Sequence, residues 1–258
     1  MTQADYIFED VTLLITHYNR SNSLERLLST ITQSCKFHEI IVSDDSSNEN
    51  HLSKLKDLQC KYSFRLLLSD SNKGLGNNIN KGQDAVVTPF TLYIQEDFEP
   101  LQNFSFRFDQ ALKMLRERKE IDIIRFHAYN KYPYLKPYKY GFAEMLFKPW
   151  YWGYSKFYYY SDHPHLRRSN FMEKFGRYSE GKGDQTEYNM MFSFLKKGGK
   201  GLFYEKNRGL FEQKNTPEEP STMKRDFWRE SENVFITGIR HFYRHIKFNY
   251  DFFFSRKF

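Results

Sequence analysis

Val11-Thr12-Leu13-Leu14-Ile15-Thr16, running straight into His17-Tyr18-Asn19-Arg20, decides the fold. The first six residues are β-branched or aliphatic and read as a buried strand, and the polar four read as the loop that leaves it. The same alternation recurs. Glu39-Ile40-Ile41-Val42-Ser43 leads into Asp44-Asp45-Ser46-Ser47-Asn48. Phe64-Arg65-Leu66-Leu67-Leu68 precedes Asn72-Lys73-Gly74-Leu75-Gly76-Asn77-Asn78, and Phe90-Thr91-Leu92-Tyr93-Ile94 ends at Gln95-Glu96-Asp97. Helical spacing fills the gaps. Leu24, Leu27, Leu28 and Ile31 share one face, with Asn22 or Ser23 as N-cap, and a Lys- and Leu-rich helix follows the second strand. This alternation predicts an α/β fold with a mostly parallel central sheet flanked by helices. Every polar cluster follows a strand's C-terminal end, which is the edge where open α/β sheets take ligands. Neither GxGxxG nor GxxxxGK[ST] follows the first strand, which disfavours a dinucleotide fold and a P-loop.

The composition narrows the class. The chain has 258 residues, 40% hydrophobic and 28% charged, with a net charge of +7. That length suits one large domain, or one domain with a small appendage. Two cysteines, Cys35 and Cys60, exclude a disulfide scaffold and favour a reducing compartment. A mean hydropathy of −0.75 and the lack of any long apolar run exclude a spanning helix. The acidic first ten residues carry no apolar stretch, so no secretory leader is expected. Aromatics are 19% of the chain but are unevenly spread: nine in residues 1–100 and sixteen in residues 126–160. The second region reads either as a Tyr-rich core with solvated rims or as a surface that meets something ring-shaped.

Taken in order, Thr16-His17-Tyr18-Asn19-Arg20, Glu39 to Ser47, Asn72-Lys73-Gly74-Leu75-Gly76 with Asn80-Lys81-Gly82, and Gln95-Glu96-Asp97 resemble the nucleotide-diphospho-sugar domain of family 2 inverting glycosyltransferases with the GT-A fold. The resemblance is good over residues 10–100 and weaker to about 220. It implies that Thr16, Tyr18 and Arg20 line the nucleotide pocket, that Asp44 and Asp45 meet the base, and that Asn72 and Asn77 lie near ribose and phosphates. It implies Glu96 at the ribose and Asp97 on Mg²⁺ or Mn²⁺. The chemistry agrees: carboxylates accept hydrogen bonds from base N–H groups and ribose hydroxyls, and a diphosphate leaving group needs a counter-charge. Where the family shows D-x-D, this chain has an uncharged Gln95, which weakens the expected metal affinity. For Asp44-Asp45 a structural turn with an Asx cap is the competing reading, and for Gln95-Glu96-Asp97 a solvated strand end.

Beyond residue 100, Phe104, Phe108, Ala111, Leu112 and Leu115 mark a helix and Ile121 to Phe126 a strand. Sugars expose apolar C–H faces that rings can cover, and Trp152, Tyr160 and His165 are the candidate acceptor contacts. His163 and His165 share no ligand spacing with a Cys or an acid, which argues against zinc. Inverting transfer also needs one base for the acceptor hydroxyl. The family places an acid at the start of a helix that runs into a glycine turn. Met190 to Gly199 fits that helix and turn, which points to Glu187 or Asp184; their spacing also suits a capping box. After the last expected strand, Gly201 to Glu205, relatives often carry a histidine; here Gln213 is the candidate for its place, with Lys214 beside it.

The expected organisation is a glycosyltransferase domain over 1–221, with donor half 10–100 and acceptor half 101–221, followed by a helical tail over 222–258. The tail holds eight Lys/Arg against four acids and has Phe235, Ile239, Phe242, Tyr243 and Ile246 at helical spacing. Packing on the domain or on a second subunit, an anionic membrane surface and nucleic acid are its three readings, in that order of preference. The whole reads as a metal-dependent inverting enzyme moving a sugar from a nucleotide-diphospho-sugar donor to a saccharide or lipid-linked acceptor. Its expected place is bacterial surface-polysaccharide synthesis at the cytoplasmic membrane face. Two rivals stand beside it. A nucleotidyltransferase would need a Gly- and Lys-rich loop after the first strand. A single-strand nucleic-acid module would leave the acidic strand ends unexplained, since acids repel phosphate.

Overall fold

The structure is a computed structural model that describes residues 6–180, 185–206, 209–220 and 234–255. β1 (Tyr6–His17), β2 (Cys35–Asp44), β3 (Arg65–Leu67) and β4 (Phe90–Gln95) are parallel, with β1 between β2 and β4. Helices α1 (Ser21–Ile31), α2 (Glu49–Tyr62) and α3 (Leu75–Asp84) connect them. After the short β5 (Phe98–Pro100) come α4 (Phe104–Glu117), β6 (Ile123–Arg125), β7 (Leu135–Pro137) and β8 (Phe142–Met145). A 3₁₀ turn at Tyr154–Phe157, β9 (His165–Arg168), α5 (Phe171–Phe175), α6 (Gln185–Lys196), β10 (Gly201–Tyr204), β11 (Phe211–Gln213) and α7 (Val234–Phe254) complete the order.

The main sheet runs β3-β2-β1-β4-β9-β6-β10-β8-β7. β9 is antiparallel to both its neighbours, β4 and β6, so it reverses direction in the middle of the sheet. The start of β9 therefore lies at the same edge as the ends of β1, β2, β4 and β6. Strand β1 is longer than its aliphatic run suggests, because Tyr6–Phe8 pairs with Cys35–Phe37 across an irregularity before Thr12.

The sheet is covered on both faces, as a mostly parallel sheet requires. Val11, Leu13 and Ile15 face a core with the apolar stripes of α1 and α4, whereas Leu14 faces a second core with α3, α5 and α6. Leu24, Leu27, Leu28 and Ile31 are buried as their spacing predicts, and so are Phe104, Phe108, Ala111, Leu112 and Leu115. α1 starts at Ser21, before both expected caps. The Glu219 carboxylate does the capping from the far end of the chain, accepting from the backbone N–H of Asn22 and Ser23 at 2.8 Å each and from Ser23 Oγ at 2.7 Å. Burial acts to raise Glu219, but these bonds outweigh it and hold the carboxyl below its usual range.

The inner face of α7 packs on the domain: Phe248 is buried against Phe157, Tyr188 and Phe192. Lys156 Nζ donates to Asn249 at 2.9 Å, and Tyr188 donates to Asp251 at 2.5 Å. The expected boundary near 221 falls outside the described residues.

Candidate active site

The C-terminal strand edge gathers residues from five elements. At the end of β1, His17 Nδ1 donates to Asp44 Oδ1 at 2.7 Å, while the Arg20 backbone N–H donates to His17 Nε2 at 3.2 Å. The imidazole thus carries its proton on Nδ1. Asp44 also accepts from Ser47 N at 2.9 Å and Ser47 Oγ at 2.5 Å. Burial works to raise Asp44, and the bonds from His17 and Ser47 overcome it and keep the carboxyl low. With both oxygens occupied and no exposed surface, Asp44 holds the β1 and β2 loops together and does not reach a nucleobase. The competing turn reading is thus the one its geometry matches. Asp45 accepts from the backbone N–H groups of Lys73 and Gly74 at 2.9 and 2.8 Å, fixing the loop before α3. Gly74 there has φ +87°, a left-handed turn that suits glycine. Thr16 is buried and shares a 3.0 Å bond with Tyr93 Oη; Tyr18 and Asn77 are half-buried and Asn72 is exposed.

Arg20 and Asp97 form the centre. Arg20 Nη1 donates to Asp97 Oδ2 at 2.8 Å, and both residues are almost fully buried. Arg20 Nη2 also donates to Asn215 Oδ1 at 2.5 Å and to the Glu219 carbonyl at 3.1 Å. The two-stranded sheet of β5 and β11 sets Gln213 opposite Phe98, and Gln213 Nε2 therefore reaches Asp97 Oδ2 at 2.7 Å. Tyr129 Oη donates to Gln213 Oε1. Asp97 Oδ1 is buried and has no hydrogen-bond partner among the described residues. Next to it, Glu96 is raised to about 8, first by burial and then by the charge of Asp97. Gln95 Nε2 donates at 3.4 Å to the Asp162 carbonyl.

Asp97 Oδ1 is an acceptor at this centre open to a cation. Among the described residues no group of three His, Cys, Asp or Glu side chains could hold a metal unaided. One carboxylate is nevertheless a fitting donor set for Mg²⁺ or Mn²⁺ that shares its shell with phosphates.

Towards α6, Gly76 brings α3 against residue 179: a Cβ there would lie 2.2 Å from the Ser179 carbonyl oxygen. Asn80 adds paired bonds to the Tyr178 backbone, at 2.9 and 3.0 Å. These contacts seat the segment that leads into α6, whose first turn holds Glu187, half-buried and within electrostatic reach of Arg125. Asp184 lies outside the described residues.

Two acceptor expectations are corrected. Tyr160 is 0% exposed, packed on Phe171 and Phe194, with its hydroxyl bonded to Tyr178 at 2.7 Å. His165 is also 0% exposed, because it opens β9 inside the sheet. Both are enclosed where they were expected to face an acceptor. Trp152 is 83% exposed but stacks beside His245 of α7. The ring that does reach the edge is Tyr129, exposed and in edge contact with His163 at 4.7 Å and His127 at 5.6 Å. His163 is held neutral by burial and by Arg125. Tyr129 and the capping role of Glu219 were missed in the sequence, and His163 was weighed there only as a metal ligand; the available signal was their position in loops flanking predicted strands.

Two guanidinium groups underlie this edge. Arg125 donates to the carbonyls of Tyr158 and Tyr159 at 2.7 and 3.2 Å. Arg167 donates to Gln83 at 2.7 Å and to Tyr178. The carboxylates of Glu187 and Asp162 lie within electrostatic reach of Arg125. Burial lowers Arg125 to about 10, so it is still charged at neutral pH.

The family model for glycosyl transferase family 2 matches residues 12–198. Among solved structures, S. aureus TarS 1-349 in complex with UDP-GlcNAc aligns with a TM-score of 0.63 at 15% identity, covering 93% of this chain and 74% of that one. The same protein in complex with UDP gives 0.60 at 15% identity, covering 96% and 73%. The mannosyltransferase PcManGT from Pyrobaculum calidifontis, in complex with GDP-Man and Mn²⁺, gives 0.50 at 12% identity, covering 74% and 53%. No curated protein matches the sequence. These identities support likeness of fold, that of GT-A glycosyltransferases, while the family match spans the strand-end clusters and α6 together. The chain is a glycosyltransferase and belongs to glycosyl transferase family 2.

Proposed function

We propose that the chain is a metal-assisted inverting glycosyltransferase that moves a sugar from a nucleotide-diphosphate donor to a hydroxyl of a saccharide or glycolipid acceptor in surface-polysaccharide synthesis. The observation that carries this reading is Asp97: one oxygen buried and unpaired, the other fixed by Arg20 and Gln213. The donors named for the neighbours, UDP-GlcNAc and GDP-Man with Mn²⁺, support a sugar nucleotide and a divalent ion. Asp97 would hold that ion, which supplies counter-charge to the leaving diphosphate when bound.

The chain's own residues do the rest. Arg20 and Gln213 keep the Asp97 carboxylate in one orientation. Thr16, Tyr18, Arg20 and Asp45 form the nucleotide side, with Asn72, Asn77 and Glu96 towards ribose and phosphates. Tyr129 replaces Tyr160 and His165 as the ring offered to the acceptor. Glu187 or Asp184 takes the acceptor proton onto a carboxylate oxygen as the new bond to the anomeric carbon forms and the bond to the diphosphate oxygen breaks. A thermal-shift comparison of sugar nucleotides with and without Mn²⁺ tests the donor. Stabilisation by at least one sugar nucleotide, strengthened by Mn²⁺, is expected; no response to any of them would overturn the reading. Glu187→Gln should bind donor as the parent does and lose turnover, and full turnover would move the base to Asp184.

A further inference from the structure

We propose that the outer face of α7, with the Trp150–Trp152 loop beside it, docks the protein on an anionic lipid bilayer. Ile239, Phe242, Tyr243, Ile246, Tyr250 and Phe253 recur at helical spacing, and each is more than half exposed. The opposite face of the same helix carries Phe248 and Phe252, which pack on the domain. The sequence alone posed packing and membrane contact as rivals; the helix has one face for each.

An exposed apolar patch of this length is uncommon on a soluble domain and marks an interaction surface. Its chemistry points to the lipid interface. Tyr and Trp favour the headgroup region, where the ring is buried and its polar edge stays wet. Trp150 and Trp152 are 76% and 83% exposed, on a loop held to α7 by Trp152 against His245 and by Tyr154 against His241.

Cations border the patch. Lys148 lies over Trp150, Arg244 over Tyr154, and Arg240 is on α7 itself, whereas Lys247 is paired with Asp251. The single acid within α7, Asp251, is turned inward onto Tyr188 and Lys247. This charge complements anionic headgroups. Two copies meeting along the stripe would instead bring their basic borders together. No helix among the described residues is long and apolar enough to cross a membrane, so α7 would lie in the plane of the interface.

The test is co-sedimentation of the full chain with vesicles of phosphatidylcholine alone or of phosphatidylcholine with phosphatidylglycerol, at low and high salt. Partitioning onto the phosphatidylglycerol vesicles that weakens as salt rises is expected. Phe242→Glu with Ile246→Glu should lower it by more than about tenfold, and Arg240→Gln by roughly fivefold. Trp150→Ala with Trp152→Ala is a second, independent disruption, since both rings are exposed. The sugar-nucleotide thermal shift of each variant should match the parent, which separates loss of docking from loss of fold or of donor binding. The proposal is overturned if the parent ignores anionic vesicles or if the stripe variants still bind them. A parent dimer in solution that Phe242→Glu dissociates would also overturn it, assigning the stripe to a second copy.

Discussion

Residues 1–100 and residues 126–160 contribute to the same sheet edge in opposite ways. The first region is poor in rings, and its polar strand ends bond to each other: His17 to Asp44, Asp45 to Gly74, Arg20 to Asp97. The second is crowded with rings, and most of them serve the interior. Phe126, Tyr132, Phe142, Phe157, Tyr159 and Tyr160 are buried, and Tyr134, Tyr138, Phe147 and Tyr154 pack partly buried on the cores. Tyr129 at the edge, the tryptophans beside α7, Tyr140 and Tyr158 are exposed. Aromatic density in a sequence is therefore a poor guide to a sugar surface. A ring that packs on several others removes more apolar area from water than one laid on a single sugar face.

That contrast can be broken by substitution. The largest effect should come from the ring-poor region: Asp97→Asn should lower transfer by at least about a hundredfold, with circular dichroism unchanged because the amide is isosteric. Near-parental turnover would remove Asp97 from the centre. In the ring-rich region the loss should be one of stability instead. Tyr160→Ala should cost about 3–5 kcal/mol in denaturant unfolding, whereas the Michaelis constant for acceptor, measured below the melting transition, should stay the same.

A smaller effect should appear in the pH dependence. Glu96 keeps its proton in the folded chain up to about 8 but ionises near 4.5 when unfolded. Between those values the native state binds the extra proton, so this residue's contribution to stability falls as pH rises and levels off above the upper value. Glu96→Gln should flatten that decline in a series of melting temperatures; an unchanged slope would show that Glu96 ionises normally. The smallest effect is expected at the edge, where Tyr129→Ala removes the exposed ring and its hydrogen bond to Gln213 and should raise the acceptor Michaelis constant roughly fivefold. No change there would leave the second region without a role at the edge.

The strands and helices of the donor half were legible because each is a local pattern: an aliphatic run, a polar loop, an apolar stripe at helical spacing. The polar ends were legible too, since strand direction alone places them on one edge. What joins them was not. Arg20 meets Asp97 only because β4 lies beside β1, and Gln213 reaches Asp97 only because β11 pairs with β5. The acceptor side failed for a related reason. Nothing local in His165-Leu166-Arg167-Arg168 says that this strand inserts, reversed, between β4 and β6, and that insertion buries His165 and the Tyr160 that precedes it. The N-cap of α1 was misplaced because its capping group, Glu219, comes from a loop at the other end of the chain.

Arg125 and Arg167 give the edge a property that no single contact describes. Each donates to uncharged groups, carbonyls, an amide or a phenol, while the carboxylates of Glu187 and Asp162 act on Arg125 electrostatically. Screening by salt is weak at such depth. The two guanidinium groups therefore contribute positive charge beneath the edge where a diphosphate would arrive, offset at Arg125 by those two acids. An anionic donor would gain from that contribution on its approach, and a neutral nucleoside or free sugar would not.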